Sequence, residues 1–134
     1  MKLNNNFNVL YVELVLNNCL KGTLSQVIKH QHITLVFNPT DTQVKEYLKL
    51  LEREEVNYSY EATGYANNGV NEGYSVIIKE EIPYYNTFAP HITTAVAEGA
   101  SAVGTGSLKF KNINENFTGT CQLNIFYNDM TPEA

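Results

Sequence analysis

His30-Gln31-His32-Ile33-Thr34-Leu35-Val36-Phe37, closed by Asn38-Pro39, carries a tripeptide that returns later as His91-Ile92-Thr93. In a strand, side chains i and i+2 share a face. Each tripeptide therefore sets an imidazole and a hydroxyl on one side and an isoleucine on the other. His30 falls on the same face as His32 and Thr34. Two such strands on one cleft would bring together two imidazoles and two hydroxyls, a set suited to acid/base work on a phosphate.

Working outward, residues 7–16 alternate as a strand, with Leu10, Val12, Leu14 and Leu16 on one parity and Tyr11 and Glu13 on the other. A carboxylate inside an apolar strand needs solvent or a partner, so Tyr11 and Glu13 are expected to face a wet cleft. Residues 24–29 are expected to form a short helix capped by Thr23. After Pro39, Thr40 and Gln43 stand at capping-box spacing. Val44, Tyr47, Leu48 and Leu51 then follow the i, i+3, i+4, i+7 stripe, and helical character fades over residues 54–57. Residues 58–65 and 74–79 read as paired strands around a connection at 66–73 rich in Asn and Gly. Residues 82–90 form an aromatic loop holding Tyr84, Tyr85 and Phe88, followed by a strand over 91–96. A small-residue run over 97–107, a short strand near Lys109 and Lys111, a long strand over 117–127 and a tail from 129 complete the chain. The order predicts an α+β fold, mainly antiparallel, with helices packed outside.

At 134 residues the chain is expected to be a single domain. The balance of 9 Lys plus Arg against 14 Asp plus Glu, net charge -5, disfavours a grip on long duplex nucleic acid. Arg53 is the sole arginine and stands far from both tripeptides. The 9 tyrosines supply flat surfaces with polar tips, suited to sheet faces and to bases. Cys19 and Cys121 lack a companion at ligand or framework spacing, and a reduced, cytoplasmic protein is the expectation. Met1-Lys2-Leu3 runs into Asn4-Asn5-Asn6 with no apolar leader, and no stretch has the length of a membrane span.

Imidazole both accepts and donates protons near neutral pH. One histidine would deprotonate an attacking oxygen while the other protonates the leaving oxygen, each worth ~10²–10⁴-fold. Thr34 and Thr93 would donate to the non-bridging oxygens. A metal held by His30, His32 and His91 is the competing reading; against it, neither motif strand carries an Asp or Glu at ligand spacing. The alternating three-histidine signature of one nucleotide-binding family fails here, because Gln31 and Thr34 stand where it needs other residues. Two ordinary strand histidines are the bland alternative.

The pair His32-Ile33-Thr34 and His91-Ile92-Thr93 resembles the signature of the 2H phosphoesterase superfamily. The texture around it, His30-Gln31-His32 at the first motif and Pro90-His91 at the second, is most similar to the branch found in tRNA-repair ligases and in phage relatives. The resemblance spans about residues 11–110. It implies a bilobal fold of mainly antiparallel sheets around a central cleft, with His32 and His91 acting on the phosphate and Thr34 and Thr93 positioning it. It implies no metal and no cofactor. Some phage relatives destroy cyclic oligonucleotide defence signals, and Tyr11 resembles their base-stacking tyrosine. The substrate implied is therefore a small cyclic oligonucleotide, met in the host cytoplasm if the chain is phage-encoded. A 2′,3′-cyclic phosphate on an RNA end or a 2′-5′ linkage is the alternative, and a non-catalytic nucleotide binder a further one. Glu13, His30, Tyr84, Tyr85 and Phe88 join Tyr11 as expected substrate contacts. The run 102–107 departs from the family in lacking polar residues, which bears on the substrate more than on the reaction.

Overall fold

The computed structural model describes residues 7–53 and 57–127. In chain order these form β1 (Val9–Leu16), β2 (Gln26–Val27), β3 (His32–Phe37), α1 (Asp41–Leu51), β4 (Tyr58–Asn67), β5 (Asn71–Ile78), β6 (His91–Val96), a 3-10 turn (Ala102–Ser107) and β7 (Lys111–Tyr127). The strands make one seven-stranded sheet in the order β2-β6-β5-β4-β7-β1-β3. Every neighbouring pair is antiparallel. The mixed α+β architecture expected from the element order is present.

β3 closes one end of that order and β6 stands next to the other end, yet their Cα atoms approach within 8 Å. Accumulated strand twist and local register shifts bend the sheet back on itself. Shifts occur at Val9/Tyr11 in β1, at Val12/Glu13, where β3 has the extra residue Leu35, at Ala62/Gly64 in β4, and at Glu72/Gly73, where β6 has the extra residue Thr94. At the last of these a Cβ on Gly73 would stand 2.2 Å from the Ile92 carbonyl oxygen, so only glycine lets β5 and β6 approach this closely.

The core is built as the alternation requires. Val12, Leu14, Ile33, Leu35 and Ile92 are fully buried, together with Val44 and Tyr47 from α1. Each such side chain contributes about 1.5–3 kcal/mol of burial. The α1 capping box forms in full: Thr40 Oγ1 accepts from Gln43 N at 3.2 Å, and Thr40 N donates to Gln43 Oε1 at 2.9 Å. Leu51 closes the helix but is exposed rather than part of the core stripe. The Tyr47 hydroxyl donates to the Pro83 carbonyl at 2.5 Å and ties the aromatic loop to the helix.

Several local expectations need correction. The stretch 24–29 is extended, not helical, and Gln26–Val27 pairs with β6. The reason is Glu72: its carboxylate accepts from Thr23 N at 2.7 Å, Thr23 Oγ1 at 3.1 Å and Leu24 N at 3.3 Å. A remote carboxylate engages the groups a helix cap would have used. β5 begins at Asn71, not 74, because Asn68 Oδ1 accepts from Val70 N and Asn71 N and shortens the hairpin turn. The two strands expected near 109–111 and over 117–127 are one 17-residue strand, β7. His30 lies just outside β3. The strands form one continuous antiparallel sheet. The fading expected at 54–57 falls mostly, and the tail from 129 wholly, outside the described residues. Among the described residues no helix is long and apolar enough to cross a membrane.

Candidate active site

Alternation aims each motif. In β3, Ile33 and Leu35 are fully buried, which turns His32 and Thr34 to the opposite face. In β6, Ile92 and Thr94 are fully buried, and His91 and Thr93 turn likewise. Because the sheet curls, both faces meet on one cleft of about 350 Å³, lined on its polar side by His30, His32, Thr34, Asn86, His91 and Thr93. Ile28, Phe37, Phe88, Ala102 and Val103 complete it as an apolar wall. The volume is that of a small-ligand site.

The two imidazoles are held in the same way. His32 Nδ1 lies 3.1 Å from the His30 carbonyl oxygen, and His91 Nδ1 lies 2.9 Å from that of Ala89. A carbonyl only accepts, so each Nδ1 carries the proton and each neutral ring keeps Nε2 as its proton acceptor. In both motifs the carbonyl belongs to the residue two positions upstream. That repeat of geometry follows the repeat of sequence.

Behind His32 the site is not symmetric. Glu13 from β1 is completely buried, contrary to the expectation that it meets solvent. Its oxygens lie 2.9 and 3.0 Å from His30 Nε2, and Asn124 Nδ2 donates to it at 2.7 Å. His32 Nδ1 is 3.5 Å from the same carboxylate. The partner, not water, resolves the cost of the charge. Glu13, His30 and His32 thus bring one donor atom each within 4.8 Å of one another, where the sequence suggested His30, His32 and His91 as a metal set. The carboxylate comes from β1 and not from either motif strand, so spacing within those strands could not reveal it. His30 Nε2 meets the Glu13 carboxylate and His32 Nδ1 meets the His30 carbonyl, so the trio forms a hydrogen-bonded cluster.

Burial lowers the His32 pKa below its ordinary value. The His30 carbonyl and the Glu13 charge oppose that shift, while the charges of His30 and His91 add to it. The rings of the two motifs are therefore close enough to sense each other. Among the described residues the cleft lining holds no Lys, Arg, Asp or Glu.

The remaining expected contacts divide. Phe88 lines the cleft. Tyr11 does not; its ring stacks on Phe126 at 4.6 Å and on His32 at 5.8 Å, bracing the histidine. Burial, with Glu13 second, raises its pKa. Tyr84 points into a separate groove with Val76, Ile78 and Pro90, its hydroxyl donating to the Phe88 carbonyl at 2.6 Å. Tyr85 donates to Glu46 and packs edge-on to Tyr47, facing α1. A tyrosine hydroxyl in a packed site seeks an acceptor; Tyr84 finds the Phe88 backbone and Tyr85 finds Glu46 on α1, and neither ring lines the cleft.

Asn86, Phe37 and Val103 belong to the cleft without having been singled out. Asn86 Nδ2 donates to the Thr34 carbonyl at 3.2 Å. Phe37 has the parity of Ile33 and Leu35, but the register shift that skips Leu35 reverses the alternation, so Val36 is buried and Phe37 exposed. Val103 is 80% exposed on the 3-10 turn, an apolar side chain in a run otherwise poor in signal. Compared with protein-family models, with curated proteins and with solved structures, the chain matches none.

Proposed function

We propose that the chain is a metal-independent phosphodiesterase of the two-histidine type whose substrate is a cyclic oligonucleotide, with a role in disarming a nucleotide defence signal. One observation carries the reading: two His-x-Thr motifs, each with its imidazole oriented by the same Nδ1–H bond to a carbonyl, face a single cleft. In it, the two ends of the curled sheet take the part of the two lobes that the resemblance implies.

On a 3′-5′ linkage, the adjacent 2′-hydroxyl attacks phosphorus. Its proton passes to one imidazole as the O2′–P bond forms. The P–O5′ bond breaks as the second imidazole, starting as imidazolium, protonates O5′. Thr34 and Thr93 donate to the non-bridging oxygens, where charge develops. The product is a 2′,3′-cyclic phosphate, and water enters by the reverse assignment of roles to open it. Substrate choice is supported by the wall: Phe37 and Phe88 are exposed, flat surfaces beside the polar floor. A lining without Lys or Arg suits a compact ligand with few phosphates better than a long polyanion.

The test is incubation with a panel of cyclic di- and trinucleotides and an RNA ending in a 2′,3′-cyclic phosphate, in chelator, with products resolved by chromatography. Ring opening of a cyclic oligonucleotide that survives chelation is the expected result. Cleavage of the RNA end alone would shift the substrate class. Tight binding without turnover would make the chain a nucleotide binder. A 2′-deoxy cyclic dinucleotide should resist; its rapid turnover would refute the internal-nucleophile step.

A further inference from the structure

We infer that Glu13 is a positioning residue for this reaction, bracing His32 so that His32, and not His91, takes the proton from the attacking hydroxyl. The inference rests on the phosphodiesterase reading and adds to it the direction in which protons move.

Glu13 is fully buried, and such a carboxylate is tolerated only with good partners. Those partners are His30 Nε2 at 2.9 and 3.0 Å and Asn124 Nδ2 at 2.7 Å. The register shift at Val12/Glu13, with Leu35 as the extra residue on β3, sets Glu13 opposite Thr34, directly beside the first motif. Bulges are a common means of re-aiming a side chain next to a reactive centre.

Next comes what the charge faces. Glu13 Oε1 is 3.5 Å from His32 Nδ1, too long to displace the bond to the His30 carbonyl but well within Coulombic reach. When His32 Nε2 accepts a proton the ring becomes cationic, and its attraction to Glu13 appears only then. An interaction stronger after proton transfer than before it lowers the barrier to that transfer. Burial lowers the His32 pKa, which favours the neutral ring able to accept. His91 has the Ala89 carbonyl at Nδ1 and, among the described residues, no carboxylate within 4.0 Å. The first motif is built to receive a proton; the second is left to deliver one.

The groups facing His32 are Glu13 and Tyr11 from β1, His30 ahead of β3, and His91 from β6. Two measurements test the assignment. The first follows the ¹⁵N ring signals of His32 against pH in wild type, Glu13→Gln and His30→Gln. Loss of the Glu13 charge should lower the His32 midpoint, and loss of the His30 charge should raise it. Movement in opposite directions separates a local effect from a general loosening of the fold. An unmoved midpoint in Glu13→Gln overturns the role of Glu13 regardless of any activity.

The second measurement compares an active oligonucleotide with a nucleoside 3′-(p-nitrophenyl phosphate), whose leaving group needs no protonation. Glu13→Gln should lower kcat about 10–100-fold, part of what a general base supplies, with KM nearly unchanged on both substrates. His91→Ala should regain most of its rate on the nitrophenyl ester, and His32→Ala should not. Rescue of His32→Ala instead, with His91→Ala still slow, overturns the assignment. Failure of wild type to turn over either substrate brings down the phosphodiesterase reading and the base assignment with it, while the ring titration still judges the hold of Glu13 on His32.

Discussion

The two motifs are identical in sequence and unequal in surroundings. Each ring donates Nδ1–H to a carbonyl two residues upstream, and each strand buries its isoleucine completely. His32, however, has Tyr11 stacked beside it and the Glu13 carboxylate behind it. His91 instead lies under the backbone of the 3-10 turn, where a Cβ on Gly106 would come 3.1 Å from His91 Cε1 and 2.7 Å from Phe88 Cδ2. Local geometry is inherited from the tripeptide; electrostatics is inherited from the neighbours. Repeated sequence can therefore carry two distinct chemical roles.

The comparison breaks most directly at the histidines. His32→Ala and His91→Ala should each lower kcat by ~10²–10⁴-fold on a natural linkage, while nucleotide affinity measured by calorimetry persists. Equal affinity loss with no rate effect would leave only a binder. Next come the hydroxyls: Thr34→Val and Thr93→Val should each cost about 10²-fold in kcat, the lower end for removal of an oxyanion donor. A loss confined to one threonine would show that the phosphate leans on one half of the cleft.

Gly106→Ala sharpens the contrast, because the atoms nearest the added Cβ belong to Phe88 and to His91 of the second motif. About a tenfold fall in kcat/KM is expected, since small displacements near the reacting groups are costly, and His32 ring signals should not move. The smallest effect concerns pH. His32 must be neutral to accept a proton, so kcat/KM rises as pH increases through its pKa. Because burial lowers that pKa below the ordinary 6.5, the midpoint of the acid limb should lie below pH 6.5, and Glu13→Gln should move it lower still. A limb centred above 6.5 in wild type would assign it to another group.

These contrasts also separate what was legible early from what was not. Period-2 alternation around Ile33 and Ile92 aims the motif side chains whatever the rest of the chain does, and the Thr40/Gln43 box is a bond within one turn. Both were readable. The helix expected at 24–29 failed because a carboxylate 48 residues away in sequence took the Leu24 N–H. Tyr84 and Tyr85 were equally good base platforms on paper. Their hydroxyls decided otherwise, by finding the Phe88 carbonyl and Glu46.

Glu13 marks the boundary. Its place in an apolar strand announced a need for a partner, and its parity put it on the face of Tyr11. Which partner it meets depends on β1 lying between β3 and β7, so that His30 arrives from one side and Asn124 from the other. By itself the sequence determined the strand faces, the helix cap and the pairing of imidazole with hydroxyl, because these follow from bonds and periods a few residues long. Only the tertiary structure decided that β3 and β6 share a cleft and that, among the described residues, His32 and not His91 has a carboxylate beside it. Strand order and sheet curvature set those distances, and they arise from contacts among segments far apart in the chain.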